Sequence, residues 1–301
     1  MIRPVAYRMN EQTICNNFFQ RELNLSDAEI NVRAQNEFDA FVTKLRAVGV
    51  RVIVEDDILE MDTPDSVYPN NWVSFHENGD VALYPMFAEN RRRERREDVL
   101  IRLEKEGFII ESLIDYTTAE DEELFLEGTG SLLLDRVNRK AYCALSPRAH
   151  EDLIIEFCED FEYTPVIFTA YQTINGKRLA IYHTNVIMAL GEQIVVICLD
   201  AIDNKAEKKN IVQHLKEDGK EIITISETQM QQFAGNMLQV KGANDKKYMI
   251  MSTAAFNSLL PKQISAIEKH SEIISSDLTT IETLGGGSAR CMMAEVFLPK
   301  E

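Results

Sequence analysis

Apolar and polar positions along the chain alternate with two periods, one typical of amphipathic helices and one typical of short strands. The first helical pattern covers residues 26–48, begins with a Ser-Asp capping pair and leads into an apolar strand at residues 50–54. The same order recurs four times, as a helix and then a strand at residues 90–106 and 108–111, 147–161 and 166–169, 205–218 and 221–225, and 262–270 and 272–274. This alternation predicts an α/β fold.

A longer period appears in short polar elements that each lead into an apolar strand. The elements are PNNWVSF around Asn71, EGTGSLLLD around Thr129, YHTNVIMAL around Asn185, FAGNMLQV around Asn236 and ARCMMAEVFL around Cys291, with gaps of about 58, 56, 51 and 55 residues. Near-equal gaps of this size are typical of repeated structural units. Five such units account for all 301 residues and predict a central cavity, ringed by polar side chains, that binds a small ligand.

Composition and charge narrow the functional classes. Apolar residues make up 45% of the chain, so a sizeable core can be buried, and no linker rich in Pro, Gly or Ser divides the sequence. The net charge of −17 makes nucleic acid and anionic membrane surfaces poor partners. The N-terminus lacks a signal peptide, and the most apolar stretch is interrupted by Glu192 and Gln193, so we expect a soluble, cytoplasmic protein.

Cys291 is the first candidate nucleophile. It follows the sequence GGGSAR, so a permissive glycine loop delivers it to the start of an apolar strand, and the neighbouring Arg290 favours a thiolate. Most cysteines are small buried apolar residues, and Cys143, Cys158 and Cys198 fit that interpretation because their neighbours are apolar. The five cysteines are odd in number and include no C-x-x-C pair, so neither a disulfide framework nor a metal site is predicted.

His183 and Glu127 are the two residues that could serve this nucleophile. His183 has the most apolar flanks of the five histidines, and a lone histidine of this kind is more often a core residue than a catalytic one. Glu127 lies between two apolar runs, where an unpartnered carboxylate would be costly. A cysteine and a histidine oriented by a carboxylate form a nucleophilic arrangement that accounts for all three residues.

Two other motifs have plainer explanations. The glycines at 285–287 lack the Lys-Ser/Thr of a phosphate-binding P-loop and do not match G-x-G-x-x-G, so nucleotide binding is poorly supported. The RRRERR run at 91–96 is interleaved with Glu89, Glu94 and Glu97, which favours a helix carrying ion pairs over a nucleic-acid patch. No cofactor is predicted.

Taken together, the motifs resemble the guanidino-group-modifying superfamily, the penteins, over almost the whole chain. EGTGSLLLD resembles the family's E-G-G-D segment, YHTN its histidine motif, and the C-terminal glycine loop its nucleophile segment. The resemblance implies catalytic roles for Cys291, His183 and Glu127. It also implies a fold, a five-bladed ββαβ propeller with pseudo-five-fold symmetry, formed as a single catalytic domain over residues 1–301.

The resemblance extends to substrate-binding residues. PDSVYPNNW resembles the segment that carries two substrate-binding aspartates, of which Asp65 matches the first and Asn71 the second. Asn185 stands two residues after the histidine, where arginine deiminases have an aspartate. FAENRRRER resembles the arginine segment near the substrate carboxylate, which implies that role for an arginine such as Arg92.

The two amides change the expected substrate. A buried carboxylate facing a neutral ureido group would be an uncompensated charge, whereas a carboxamide offers a donor for the ureido oxygen and an acceptor for its N–H. The pattern resembles the citrulline hydrolase (ureidase) branch, so the predicted function is hydrolysis of citrulline to ornithine through a covalent Cys291 intermediate. The alternatives are an amidinotransferase, a dimethylarginine or arginine deiminase-type hydrolase, and a catalytically silent ligand-binding pentein. The sequence is also compatible with a homo-oligomer.

Overall fold

The computed structural model describes residues 1–300, and within them the chain forms short strands and helices in alternation. The strands are β1 Ile2–Arg3, β2 Glu55–Asp56, β3 Val73–Phe75, β4 Asp80–Leu83, β5 Ser112–Asp115, β6 Leu132–Asp135, β7 Lys140–Leu145, β8 Thr164–Thr169, β9 Tyr171–Ile174, β10 Lys177–Ala180, β11 Met188–Leu190, β12 Ile194–Ile197, β13 Glu221–Thr224, β14 Leu238–Lys241, β15 Lys247–Ser252 and β16 Glu272–Ser276. The helices are α1 Asp27–Ala47, α2 Glu89–Arg92, α3 Glu97–Lys105, α4 Gly128–Ser131, α5 Glu151–Asp160, α6 Lys205–Glu217, α7 Glu227–Met230, α8 Thr253–Ser258, α9 Pro261–Glu268 and α10 Thr279–Gly285. The α/β prediction is confirmed.

Four three-stranded sheets share one topology. In the orders β3-β4-β5, β6-β7-β8, β11-β12-β13 and β14-β15-β16, the first two strands pair antiparallel and the third pairs parallel to the second. A parallel pair requires a crossover, and the helices α3, α5, α6 and α9 occupy those crossovers. Each sheet with its helix is therefore a ββαβ unit. The remaining strands form the antiparallel hairpin β9-β10 and the parallel pair β1-β2, which has α1 between its strands.

Burial explains these positions. Every residue of β12 is buried, as expected for a central strand covered on both faces, and β12 belongs to the largest apolar cluster. The helix α6 buries Ile211 and Leu215 and leaves its polar face to solvent. The helix α1 begins as predicted, because the Ser26 side chain and Glu29 form a reciprocal capping box at its N-terminus.

The polar elements of the repeat lie immediately before the first strand of each unit. A 3₁₀ helix at Pro69–Asn71 precedes β3, α4 precedes β6, a 3₁₀ helix at Thr184–Val186 precedes β11, and Asn236 precedes β14. The fifth element, around Cys291, leads into residues 292–298, which within the described chain form no three-stranded sheet. Four of the five predicted units are therefore present as ββαβ sheets.

Three local predictions differ from the structure. No strand forms over 50–54, and the two-residue β2 follows instead. Between 108 and 111 only Phe108 forms an isolated bridge, and β5 begins at Ser112. The predicted helix at 90–106 is interrupted, because the arginines between α2 and α3 bond in different directions: Arg95 pairs with Glu120, and Arg96 donates to the carbonyl of Asp56.

The helices of residues 1–300 are all too short or too polar to cross a bilayer.

Candidate active site

Glu127 and His183 form a buried pair, as the sequence predicted from their apolar surroundings. Glu127 lies at the turn before α4, and His183 lies just before the 3₁₀ helix at Thr184–Val186. Their Oε2 and Nε2 atoms are 2.7 Å apart, and the backbone N–H of Phe87 donates to the other carboxylate oxygen at 3.1 Å. The carboxylate therefore fixes the imidazole through Nε2, and the Nδ1 atom lies beside Gly130.

Cys291 lies in the same cavity, and its sulfur accepts two amide hydrogen bonds. Asn185 Nδ2 is 3.3 Å and Asn236 Nδ2 is 3.2 Å from the Cys291 Sγ. The Asn236 Oδ1 accepts from the backbone N–H of Arg290 at 3.0 Å. Two neutral donors thus face the sulfur, an arrangement that stabilises a thiolate by hydrogen bonding.

The glycine loop before Cys291 is held by phenol groups. Tyr182 donates to the carbonyl of Gly286 at 2.5 Å and Tyr68 donates to that of Gly287 at 3.2 Å. Gly286 has a φ of +63°, a conformation that favours glycine. A Cβ on Gly285 would lie 2.1 Å from the Tyr68 hydroxyl, so the close approach of the loop requires a residue without a side chain.

Arg91 joins residues that the sequence predicts to bind substrate into one buried network. Its Nε and Nη2 atoms donate to Glu94 at 2.8 and 2.9 Å, and its Nη1 donates to the Asn71 Oδ1 at 2.9 Å. Asp65 lies 3.8 Å from the guanidinium and accepts from Asn10 Nδ2 at 2.8 Å. The arginine therefore fixes the orientation of the Asn71 amide.

A second buried arginine, Arg148, approaches the same Glu127 oxygen as Arg91 does. Its Nη1 atom is 3.4 Å from the Glu127 carboxylate, and its Nε donates to Asn16 at 3.0 Å. Its guanidinium lies over the Tyr182 ring, 5.0 Å from the centroid. The residue links the centre of the site to the N-terminal segment.

Three buried polar atoms of the site have no protein partner within residues 1–300. They are the Asp65 Oδ1, the Asn71 Nδ2 and the Asn185 Oδ1. Buried polar atoms are normally satisfied, so unpartnered ones at or next to a cavity indicate ligand contacts. The set comprises one N–H donor and two acceptors.

The carboxyl groups of the site differ in the direction of their pKa shifts. Burial favours a high pKa for Glu127, but Arg148, the His183 hydrogen bond and Arg91 outweigh it and hold the pKa well below its usual range. Burial lowers the pKa of His183, although Glu127 opposes this effect, so the imidazole is neutral near pH 7. Burial raises the pKa of Asp65, and it raises that of Glu94 to about 7 despite the neighbouring Arg91.

The structure brings six of the seven predicted residues together. Cys291, His183, Asp65 and Asn71 line the cavity, while Glu127 and Asn185 contact these residues from behind. Arg92 does not lie where the prediction placed it: its Nε atom donates to the carbonyl of Met86 and lies 3.3 Å from Glu120, at a partly exposed position outside the cavity.

Arg91 and Arg148 are the cations that line the cavity. A run of arginines carries no signal for which member turns inward, and Arg148 lies outside every motif. Asn236 could have been found, since it occupies the same place in its repeat as Asn71 and Asn185 do in theirs.

Residues 1–300 hold no group of three or more His, Cys, Asp or Glu side chains arranged to bind a metal ion.

The ββαβ units and the buried Cys, His and Glu side chains at their mouths are those of the pentein class. The chain belongs to the family whose model is described as "N,N dimethylarginine dimethylhydrolase, eukaryotic", which matches residues 3–298. No curated protein sequence matches the chain.

Solved structures support the same fold. The chain resembles apo ArgZ, an arginine dihydrolase from the ornithine-ammonia cycle in Cyanobacteria, with a TM-score of 0.73 and 17% identity, and the match covers 100% of this chain and 40% of ArgZ. It resembles AgrE in complex with ornithine and NAD+ with a TM-score of 0.74 and 18% identity over 100% of this chain and 39% of AgrE. A dimethylarginine dimethylaminohydrolase adduct with S-methyl-L-thiocitrulline matches with a TM-score of 0.62 and 14% identity over 97% and 96% of the two chains. This chain thus spans about 40% of the length of ArgZ.

Proposed function

We propose that this protein hydrolyses a C–N bond of the ureido group of citrulline and yields ornithine. The observation that carries the proposal is the unpartnered N–H donor of Asn71, which Arg91 orients through the amide oxygen. A ureido group has a carbonyl oxygen that accepts this donor, and it has N–H groups for the acceptors of Asp65 and Asn185. A guanidinium has only donors, so the Asn71 N–H would face it unpaired, at a cost of about 1–3 kcal/mol.

The reaction follows from the contacts of the site. Neutral His183 takes the proton of the Cys291 thiol as the sulfur attacks the ureido carbon, and the imidazolium gives this proton to the departing side-chain nitrogen as its bond to carbon breaks. Glu127 stabilises the imidazolium that exists before this transfer. Neutral His183 then takes a proton from water, which attacks the S-carbamoyl carbon and displaces the thiolate, and the imidazolium returns this proton to the Cys291 sulfur. The carbamate released decomposes to ammonia and carbon dioxide.

A second candidate is hydrolysis of arginine or an N-methylated arginine. The family description and the relatives named for arginine favour it. So does the charge balance, because three buried carboxyl groups, Asp65, Glu94 and Glu127, stand against two arginines, and a surplus of negative charge favours a cationic group. The carboxylate of either substrate would be bound by Arg148 or Arg91.

Product analysis distinguishes these functions. The purified protein is incubated in parallel with citrulline, arginine and N,N-dimethylarginine, with and without glycine as an amine acceptor. We expect equal amounts of ornithine and ammonia from citrulline. Efficient conversion of arginine to citrulline without turnover of citrulline would contradict the proposal. An amidino group transferred to glycine would identify an amidinotransferase, and no product from any substrate would favour a silent ligand-binding protein.

The role of the two amides is tested by replacing them with carboxylates, which should shift the substrate preference from citrulline toward arginine. In the double variant Asn71→Asp, Asn185→Asp, two carboxylates face the reacting group, so the relative kcat/KM for arginine against citrulline should rise by roughly a hundred-fold, since charge-assisted bonds contribute about 1.5–3 kcal/mol each. The control Asn210→Asp, Asn244→Asp adds the same charge at exposed positions and should leave the preference unchanged. An unchanged preference in the first variant would show that these amides do not contact the reacting group.

The proposal also covers the domain organisation and the cellular location of the protein. We assign residues 1–301 to one catalytic domain and expect β1, α1, β2 and residues 292–298 to be the fifth unit of the ring, since Cys291 precedes that segment as Asn71 precedes β3. The five thiols are free, which suits the reducing cytoplasm.

A further inference from the structure

A second cavity, of about 610 Å³, shares no residue with the one around Cys291. Residues from β3, β6, β11 and β14, the first strand of each unit, line it together. Its volume is within the range of small-ligand pockets, and its wall is mainly apolar, with Trp72, Phe75, Leu133 and Met293 among the lining residues. We call this cavity the channel site.

Arg290 lines the channel site and carries a donor that the protein leaves unsatisfied. Its side chain is buried, with 4% of its surface exposed, and its Nε atom donates to no acceptor within residues 1–300. Its other nitrogens are engaged, since Nη1 donates to the carbonyl of Met293 at 3.0 Å and Nη2 to Glu295 at 3.1 Å. A buried guanidinium with an unpaired N–H is costly and indicates an acceptor that the protein itself does not supply.

Arg136 is a second guanidinium with spare donors at the channel site. Its Nη2 donates to the carbonyl of Phe75 at 3.3 Å, and its plane lies 3.8 Å from the centroid of the Phe297 ring. Within the described chain it forms no ion pair with a carboxylate. The other lining cations, in contrast, have carboxylate partners: Arg51 pairs with Glu106, Arg102 with Glu55, and Lys241 with Glu192.

We propose that the channel site binds a small carboxylic acid with an apolar body. The carboxylate would accept from the Arg136 and Arg290 donors, and the body would pack against the apolar wall. A compact dianion such as phosphate fits the site less well, because the carboxylates of Glu77, Asp135 and Glu295 also line it and would repel a second negative charge.

The channel site is connected to the nucleophile by a short chain of contacts. The backbone N–H of Arg290 donates to the Asn236 Oδ1 at 3.0 Å, and the Asn236 Nδ2 donates to the Cys291 Sγ at 3.2 Å. A ligand that draws the Arg290 side chain toward the channel also acts on this backbone. Occupancy of the channel site therefore alters the reactivity of the Cys291 thiol.

Binding is tested by calorimetry on the purified protein with hexanoate, with the neutral isostere hexanamide, and with inorganic phosphate, each at up to ~10 mM. We expect hexanoate to bind about ten-fold or more tightly than hexanamide, because only the carboxylate forms charge-assisted bonds, and more tightly than phosphate. Equal binding of hexanoate and hexanamide, tighter binding of phosphate, or no binding of any probe would each overturn the proposal.

Three variants locate the bound probe. Arg136→Gln should weaken hexanoate binding about ten-fold, and Arg136→Lys should weaken it less because the charge remains. The control Arg139→Gln removes an arginine that lies against Tyr163 outside the channel site, and it should bind as wild type. Undiminished binding to Arg136→Gln would place the carboxylate elsewhere, for example at Arg91 or Arg148.

The connection to Cys291 is tested without any substrate, so it stands or falls independently of the proposed hydrolysis. All proteins in this test carry Cys15→Ser, which removes the exposed thiol. Hexanoate should change the rate of Cys291 alkylation by iodoacetamide at least about three-fold in the protein with no further change and in Arg139→Gln, but not in Arg136→Gln. An unchanged rate with hexanoate bound to the wild type would overturn the connection.

Discussion

Cys291, the proposed nucleophile, and its nearest neighbours show how this site differs from an ion-pair arrangement. The Cys291 sulfur is contacted by the amides of Asn185 and Asn236. These groups stabilise a thiolate through N–H dipoles and add no charge that would repel or attract a substrate. Charge in the site is instead confined to Arg91, Arg148 and the carboxylates that they contact.

Alkylation provides the first prediction. Iodoacetamide near pH 7 should modify Cys15, which is exposed, and Cys291, and only modification of Cys291 should abolish turnover. Burial raises the pKa of Cys158 to about 12 and that of Cys198 to about 11, so these thiols should react slowly. Peptide mapping by mass spectrometry checks the result. Cys291→Ser should be inactive and folded, while Cys15→Ser should be active. Inactivation that follows modification of Cys198 would refute the assignment.

The second prediction concerns Glu127, the carboxylate that contacts His183. Glu127→Gln keeps a hydrogen-bond partner for His183 but removes the charge that stabilises the imidazolium, so kcat should fall by a factor on the order of 10² or more. The control Glu123→Gln changes an exposed residue four positions earlier and should have wild-type kcat. Steady-state kinetics measure both. Turnover near wild type in Glu127→Gln would mean that another group orients the base.

The sequence predicted these residues unequally, for physical reasons. Glu127 and His183 could be recognised because polar side chains inside apolar runs need partners, and the structure provides each as the partner of the other. Arg148 could not be recognised, because its role depends on Asn16, which is 132 residues away in the chain. Arg91 and Arg92 have the same local pattern, and only tertiary packing decides which side chain is buried.

At the scale of elements, the predictions held where burial is one-sided. The helix α6, predicted over 205–218, and the strand β13, predicted over 221–225, were recovered within one or two residues. The strand β5 was misplaced because most of its side chains are exposed, so no apolar pattern marks it. Residues 50–54 have alternating valines that pack on the cluster around α1 without pairing as a strand.

The helix α10, which precedes the glycine loop, provides a prediction on stability. Its buried Glu282 accepts from the Ser288 hydroxyl at 2.5 Å, and burial raises the pKa of Glu282 to about 7. Because this pKa is higher in the folded than in the unfolded state, the contribution of Glu282 to stability is fully present below about pH 4.5 and is lost as the pH rises through about 7. A glutamine keeps the acceptor and does not titrate.

The free energy of unfolding of Glu282→Gln relative to wild type should therefore rise between pH 5 and pH 8, by up to about 3 kcal/mol. Urea unfolding at several pH values measures this difference. The variant Glu268→Gln changes an exposed residue of α9 and should show a constant difference. A constant difference for Glu282→Gln as well would show that Glu282 titrates alike in both states.

At the scale of the whole molecule, the net charge of −17 works against the compact state. Salt screens this repulsion, since the Debye length falls from about 30 Å at 0.01 M to about 8 Å at 0.15 M. The melting temperature should therefore rise by a few degrees over that range, with sodium chloride and potassium chloride giving the same result. Differential scanning calorimetry checks it. A melting temperature that falls with added salt would mean that local ion pairs outweigh the overall repulsion.

The repeat is the whole-molecule feature that the sequence revealed best. Each polar element lies at the mouth of a buried strand, and this requirement left a period that is visible without coordinates. The pairing of β1 with β2 was harder to predict from the sequence, because both strands are only two residues long and more than fifty residues separate them. Pairing of that kind depends on contacts that no local pattern contains.

The cavity around Cys291 has a volume of only about 10 Å³, which is room for about one water molecule and not for an amino acid. A substrate can enter only if part of the wall moves. We expect the N-terminal segment to move, because its contacts with the cavity wall include hydrogen bonds that can open, from Asn17 to the carbonyl of Gly285 and from Arg148 to Asn16. We therefore expect turnover to include opening and closing of this cavity. A more viscous solvent should lower kcat to the extent that this motion, and not bond cleavage, is rate-limiting.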